Sequence, residues 1–563
     1  MPTLNWIGKD AVVNHHKQVP FRLLKCNEKL SVPPLPRGEG RGEGENLLIQ
    51  GDNLEALKAL LPYYAGQVKC IYIDPPYNTG NEGWVYNDNV NSPEMRDWLG
   101  KVVGGEAEDL SRHDKWLSMM FPRLVLLREL LSDDGSIFVN IDDNEQADLR
   151  LVLNEVFGTQ NFVATVIWQK VYSPRMDAKS FSNDHDSIVV YQKTEKFSVK
   201  KILFEQNTGQ FTYFDSTKGK YYRRRQWRKE GSGARREDRP NLFYSIVAPD
   251  GTEVLPFRPD GSEGRWRGDI HYFKELENAG ATEWVEGNNG WQIYVKQFYE
   301  ENASRPPSTL WFHEEVGHNH EAAEELRNIF GQIPFQTPKP TRLIRRILQI
   351  ATNPGDLILD SFAGSGTTGH AVLQMNKDDG GNRRFILVEI DKNIAENITA
   401  ERLKRVIQGY TYKDQKGNKK KEEGLGGGFR YCELGGTLFD ANGQIDEEVK
   451  SGDLAQHVYF IETGQPLPDP SPRPPSRSGK GEQRGLGPLL GVHNGTAVYL
   501  LYNGILKDKK ANGGNVLTRA LLRSLPRHDG PKIIYGTGCL LSEEKLQELG
   551  ITFRQIPYEV KAS

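Results

Sequence analysis

Asp74-Pro75-Pro76-Tyr77 is the segment whose residue types most directly imply chemistry. It follows Val68 to Ile73 (VKCIYI), an apolar run that reads as a buried strand. Two consecutive prolines stiffen the backbone and remove two N–H donors, leaving carbonyls that project into a cleft. Asp74 and Tyr77 are thereby held in fixed relation. Such a set can grip an exocyclic amine, with the carboxylate and a backbone carbonyl accepting its two hydrogens. An amine conjugated to a ring is a weak nucleophile, and accepting both protons favours tetrahedral nitrogen with its lone pair free for attack. The contribution would be positioning and electrostatics, and Tyr77 would offer a stacking face. Taken alone, the four residues equally fit a proline-stiffened strand exit with a capping aspartate.

A second such segment is Asp360 to Gly369 (DSFAGSGTTG). Gly364, Gly366 and Gly369 have G-x-G-x-x-G spacing, after the apolar run Leu357 to Leu359 and before a helix predicted to begin near His370. Glycines allow a tight turn and close approach of a ligand to the backbone. Glu389 ends the next apolar run, Phe385 to Val388, where a carboxylate can accept from two ribose hydroxyls. A dinucleotide would set its pyrophosphate on the helix N-terminus, whereas the amine of S-adenosylmethionine would suit Asp360. The loop by itself leaves both open.

These segments need strands and helices to carry them. Leu47 to Ile49, the helical spacing of Asn53 to Leu61, and Val68 to Ile73 form a β-α-β pattern that predicts parallel strands. Asp114 to Leu131 places Leu117, Met120, Leu124, Leu127 and Leu131 on one helical stripe, and Gly135 is expected to close that helix. Ile137 to Ile141 and Val163 to Trp168 are further strands. Two α/β blocks thus flank an aromatic and basic stretch from about 200 to 335. Pro33 to Gly44, Pro466 to Pro488 and Lys413 to Gly428 read as loops too poor in apolar residues to bury a core, the last as a hairpin tip.

A chain of 563 residues implies several domains. Its net charge of −3 excludes a uniformly basic binder, but charge is sorted along the chain. Lys218 to Arg239 holds ten Lys/Arg against Glu230, Glu237 and Asp238, interleaved with Tyr221, Tyr222 and Trp227. Trp266, Trp284, Trp291 and Trp311 are expected to be core or stacking surfaces of the same module. Cys26, Cys70, Cys432 and Cys539 are far apart without a CxxC pair, so neither a disulfide framework nor a zinc site is expected. No signal pattern, no membrane-length apolar stretch and no ATP-binding P-loop are apparent, which makes the cytoplasm the default location. Asp142-Asp143 with Glu145 reads as helix capping rather than a metal site. His313, His318 and His320 with Glu314 and Glu315 read as a polar loop, so no metal is expected.

Asp74 to Tyr77, Phe362 to Gly366 and Thr337-Pro338-Lys339-Pro340 resemble motifs IV, I and X of amino-methyltransferases. With the tetrad preceding the glycine loop, the chain resembles the β group of adenine-N6 DNA methyltransferases, and in particular the modification subunits of Type III restriction–modification systems. Ile73 to Gly80, Asp142 to Glu145 and Gly364 to His370 carry that wider similarity, which covers 46–200 and 335–410. The resemblance implies a Rossmann-like α/β sheet that binds S-adenosylmethionine, with an inserted target-recognition domain and a small C-terminal α/β appendage. It implies Asp74, Pro75, Pro76 and Tyr77 as the catalytic set. Asp52, Asp74, Lys339, Asp360, Phe362, Gly364, Ser365, Gly366 and Glu389 are the implied cofactor-binding positions. Asp52 would face the cofactor's adenine and Lys339 its methionine end. Ser361 stands where many relatives have Pro or Phe. An aspartate at 74 implies adenine, since cytosine-N4 relatives commonly have serine there.

The implied organisation is an extension over 1–45, a catalytic half over 46–200, a target-recognition domain over 201–335 and a cofactor-binding half over 336–435. A C-terminal region over 436–563 follows, containing a linker at 464–488. Arg223, Arg224, Arg225, Arg228, Arg235 and Arg236 are the candidates for DNA contact. Expected partners are double-stranded DNA, a second copy of the chain and a separate restriction subunit. The alternatives are a catalytically silent DNA-recognition subunit, a cytosine-N4 or RNA methyltransferase and, more distantly, a dehydrogenase.

Overall fold

The structure, a computed structural model, describes residues 4–33, 46–79, 101, 112–174, 176, 178, 180–204, 206–287, 290–414, 416–439, 445, 449–468, 487–502, 510 and 513–556. Of the expected low-complexity segments Pro33 to Gly44 and Pro466 to Pro488, residues 34–44 and 469–486 lie outside the described residues. The chain divides into two compact units, Lys201–Pro306 and the remainder.

The larger unit is built on a ten-stranded sheet. In chain order its strands are β1 (Arg22–Val32), β2 (Asn46–Gln50), β3 (Val68–Ile73), β4 (Leu131–Ile141), β5 (Phe162–Gln169), β6 (His185–Gln192), β7 (Leu310–Trp311), β8 (Leu357–Asp360), β9 (Arg384–Glu389) and β10 (Phe429–Thr437). Their spatial order is β1-β10-β2-β9-β8-β3-β4-β6-β5-β7. The five neighbours β2, β9, β8, β3 and β4 run parallel, whereas β6 is antiparallel to both β4 and β5. β3, β8 and β9 are buried almost throughout, as near-continuous apolar strands covered on both faces must be. Although β2 and β3 are parallel as expected, they are not neighbours. β8 and β9 from the later block lie between them, so the two α/β blocks interleave in one sheet.

Several expectations are corrected. Gly135 does not end a helix: the helix Arg112–Leu130 passes directly into β4, which contains Gly135. A Cβ there would lie 2.9 Å from the carbonyl oxygen of Val68, so close strand approach selects glycine. Residues 307–335 belong with the larger unit rather than the inserted module, because β7 pairs with β5 and buries Trp311 in the large sheet. The N-terminal segment is not merely an extension, since β1 pairs along β10. That pairing sets Cys26 opposite Cys432, and the two form a disulfide 406 residues apart in sequence. Spacing along the chain carries no sign of a cross-strand pair of this kind. Lys419–Glu423, within the expected hairpin tip, is itself a strand paired with Gly409–Lys413.

After the helix Ser451–Thr463, the C-terminal region forms a four-stranded sheet ordered Leu489–His493, Thr496–Leu500, Lys532–Gly536, Ile551–Gln555. Leu490, Val498, Leu500 and Tyr535 join the principal core, so this is a packed part of the large unit. Among the described residues, no helix is long and apolar enough to cross a membrane.

The smaller unit contains an antiparallel sheet ordered Thr282–Gly287, Gly290–Phe298, Lys220–Gln226, Tyr213–Asp215. Its helix Ile270–Asn278 is capped by Asp269, which accepts from the Tyr272 N–H at 2.9 Å. Trp227, Ile246, Trp266, Phe273 and Ile293 form its core, with Trp284 packed against them.

Candidate active site

Parallel strands bring their C-terminal ends to one edge of a sheet, which is where α/β folds place ligands. Here β8 and β9 end at Asp360 and Glu389, while Asp74 follows β3 and Asp52 follows β2. The register that pairs Asp360 with Leu387 and Glu389 with Gln50 fixes these ends side by side.

Asp74 stands at the centre of a polar network. Its Oδ1 accepts from the Tyr77 hydroxyl at 3.0 Å and from Asn140 Nδ2 at 3.3 Å. Its Oδ2 accepts from Lys339 Nζ, an ammonium that also lies 5.2 Å from the centre of the Tyr77 ring. The Tyr77 hydroxyl meets a second carboxylate, Asp186 Oδ2, at 3.1 Å and accepts from Asn140 Nδ2. Asp186 is in turn paired with Lys170 at 2.7 Å. Burial, then the charges of Asp186 and Asp74, push the Tyr77 phenol well above its usual value, so it stays a neutral hydroxyl. Lys339, expected near the cofactor, is thus brought to the tetrad itself.

The prolines are pinned from behind. Trp116, wholly buried on the helix Arg112–Leu130, donates its indole N–H to the Pro76 carbonyl at 2.7 Å. Asn78 follows the tetrad with a left-handed φ of 55° and donates to Glu145 Oε1, which His113 Nδ1 also reaches at 2.7 Å. Glu145 therefore holds Asn78, and its side chain makes no capping hydrogen bond to the helix Gln146–Phe157. Asp142 accepts from the Asn144 N–H at 2.9 Å. Among the described residues, the group with metal-ligand spacing is His113, Glu145 and Asp148, at none of the positions considered from sequence apart from Glu145. His313 lies on a short helix, and His318 Nδ1 accepts from the Glu321 N–H at 3.0 Å to cap the helix Asn319–Phe330.

The glycine loop is shaped by two buried acids. Asp360 Oδ1 accepts from the Phe362 N–H at 3.0 Å and Oδ2 from the Thr368 hydroxyl at 2.6 Å. Glu389 Oε2 accepts from the Gly364 N–H at 2.8 Å and Oε1 from the Asp391 N–H at 3.0 Å. Desolvation raises both carboxyls to about 7 despite these hydrogen bonds. Gly364 has φ +49°, and a Cβ on it would lie 2.9 Å from Phe335. Gly366 has φ +78° and precedes the helix Thr367–Asp379. Ser365 is buried, its hydroxyl 3.1 Å from the fully buried Arg402 guanidinium, which also donates to Thr367 Oγ1 at 2.8 Å. Asp52 caps the helix Asn53–Tyr64 and pairs with Arg123 at 2.9 Å, so its carboxylate has local structural partners.

Sequence reading passed over Asn140, Asp186, Lys170, Trp116 and Arg402. The first two carried a signal: each is a polar residue within an apolar strand run, IFVNI and HDSIVVY.

In the smaller unit, most candidate arginines are engaged within the unit. Arg224 pairs with Glu283 and lies 4.0 Å over Tyr213. Arg223 donates to Gln297 at 3.0 Å and to Gln210. Arg228 donates to the Phe257 carbonyl and lies 3.5 Å from Glu230. Arg235 pairs with Glu237 and Arg236 with Glu263. Arg225 is exposed, and among the described residues its side chain makes no hydrogen bond or ion pair.

The model of the DNA methylase family matches residues 68–401, more than half of the chain. The StyLTI Mod subunit, a Type III restriction-modification enzyme of Salmonella typhimurium, is 34% identical over 377 residues, covering 63% of this chain and 54% of that protein. The EcoPI Mod subunit of Escherichia phage P1 is 33% identical over 424 residues, 70% of this chain and 64% of its own length. The Type II methyltransferase M.KpnI of Klebsiella pneumoniae is 30% identical over 360 residues, 62% of this chain and 81% of that protein. The chain thus spans between half and two thirds of the length of the two Mod relatives. The family match runs from the first residue of β3 through both Asp74 and Glu389, and the chain belongs to the DNA methylase family.

Proposed function

We propose that the chain transfers a methyl group from S-adenosylmethionine to N6 of adenine in duplex DNA, as the modification component of a restriction–modification system. The observation that carries this reading is the Asp74 carboxylate, held by Lys339 and Asn140 beside the Tyr77 ring and a proline carbonyl.

The crevice fits the cofactor by its donor set. Asp360 and Glu389 are buried acids held near 7, and both would be favoured as anions by a cationic amino-acid group and ribose hydroxyls. Gly364 and Gly366 leave the loop open where a side chain would fill it. Phe362, Ser365 and Asp52 complete the set of cofactor positions on this reading. When bound, the cofactor supplies an electrophilic methyl on a positively charged sulfur. Asp74 and the Pro75 carbonyl accept the two N6 protons, which turns the nitrogen lone pair toward that methyl for in-line displacement. No strong base is required, because methylated N6 is acidic and sheds its proton readily. Tyr77 stacks the base, which must be turned out of the duplex to reach the crevice.

The unit Lys201–Pro306 serves as the target-recognition domain, with Arg225 as its readiest phosphate contact and the other five arginines as the surrounding basic surface. Two relatives are named as Mod subunits of Type III restriction-modification enzymes, which supports a separate restriction subunit as a partner; on the same reading the chain acts on duplex DNA, pairs with a second copy and works in the cytoplasm. The test is transfer of labelled methyl groups to unmethylated genomic DNA followed by nucleoside analysis. Label in N6-methyladenine is expected; label in N4-methylcytosine, or in RNA alone, would reject the assignment.

A further inference from the structure

The hydroxyl of Tyr77 has one proton and, among the described residues, two carboxylates within reach, Asp74 Oδ1 at 3.0 Å and Asp186 Oδ2 at 3.1 Å. Asn140 Nδ2 donates to the hydroxyl oxygen, so the hydroxyl's own proton is left for one of the two acids. The acids differ in what else they hold. Asp74 already has Lys339 on Oδ2 and Asn140 on Oδ1. Asp186 is only 3% exposed, has Lys170 on Oδ1 and, among the described residues, has no donor on Oδ2 other than Tyr77. A buried carboxylate oxygen without a donor is costly, which sends the proton to Asp186.

Resting on the adenine reading above, we propose that Asp186 is a positioning residue: it takes the Tyr77 hydroxyl proton and so keeps Asp74 Oδ1 open to accept from the target amine. Without that acceptor the hydroxyl turns to Asp74 and occupies the lone pair that the amine needs. Asp186 touches neither substrate nor cofactor; Lys170 and the β6 backbone hold it in place behind the ring.

The experiment is a double-mutant cycle on kcat with S-adenosylmethionine and saturating unmethylated genomic DNA. In Asp186→Asn, the amide oxygen keeps Lys170 and the NH2 faces Tyr77, so kcat falls about 10- to 100-fold. Cofactor Kd and DNA KM stay within about twofold, as expected for an interaction used in turnover rather than binding. Tyr77→Phe removes the misdirected hydroxyl and rescues the defect, so the double variant turns over like Tyr77→Phe alone. If Asp186→Asn does not fold, Lys170→Met/Asp186→Leu gives the same comparison in a charge-neutral site, with the same rescue by Tyr77→Phe. Losses that multiply in the combined variant, or a cofactor Kd that moves as far as kcat, would overturn the proposal. A wild-type chain that methylates no adenine fails the functional reading instead, and is read separately from the cycle.

Discussion

The crevice around Asp74 and the arginine-rich stretch of the Lys201–Pro306 unit are both rich in charge, but they hold it differently. In the crevice, partners arrive from far along the chain: Lys339 is 265 residues from Asp74, and Asp186 is 109 from Tyr77. Several are nearly inaccessible, including Asn140, Asp186 and Arg402. In the smaller unit, Arg235 pairs with Glu237 two residues away and Arg236 with Glu263, all of them exposed. Exposed pairs contribute roughly 0–1 kcal/mol and exchange partners readily, whereas removing one member of a buried pair leaves a stranded charge at about 3–5 kcal/mol. The crevice therefore fixes geometry. The exposed pairs at Arg235 and Arg236 fix little beyond the sign of their surface, whereas Arg224 on the strand is tied to Glu283.

Breaking the crevice should produce the largest effect. Asp74→Ala is expected to lower methyl transfer by at least about 10²-fold while cofactor and DNA binding stay measurable, as read by labelled transfer and by titration. The glycine loop comes next. In Gly364→Ala the new Cβ meets Phe335 at a positive φ, so cofactor Kd should rise about tenfold in calorimetry with a smaller drop in Tm. An unchanged Kd would show that the ligand does not approach this backbone.

The buried acids sharpen the comparison through pH. Asp360 and Glu389 have folded values near 7, raised from the ordinary carboxyl range. The unliganded protein thus binds protons that the unfolded chain releases. This contribution to stability is fully present below about pH 4 and is lost as pH rises through 7. A cationic ligand favours the anions, so cofactor affinity should fall about tenfold between pH 8 and pH 6 for one such group. An affinity flat across that range would separate these acids from the ligand.

The smallest effects belong to the strand. Arg225→Ala should lower the salt slope of DNA binding by about 1, while Arg224→Ala, which breaks the pair with Glu283, should leave the slope and lower Tm. Equal slopes for both variants would mean that pairing within the unit does not sort its arginines.

The tetrad and the glycine loop were legible because each couples local spacing to a strand end, and a continuous apolar run marks such an end. The interleaving of β8 and β9 between β2 and β3 was not, because sheet order depends on long-range packing. Asp52 also has partners that its motif gives no sign of, since its carboxylate caps a helix and holds Arg123. Arginine clustering predicted a basic face; which arginines remain unpaired depended on Glu263 and Glu283, contributed by other segments of the unit. The disulfide between Cys26 and Cys432 was hidden for the same reason.

The most direct test of the central claim, that Asp74 directs an adenine amine, is nucleoside mass spectrometry on one unmethylated DNA treated in parallel with wild type and Asp74→Ala. N6-methyladenine from the wild type and none from the variant, with DNA binding retained by both, is the expected result. Equal N6-methyladenine from both proteins would contradict it.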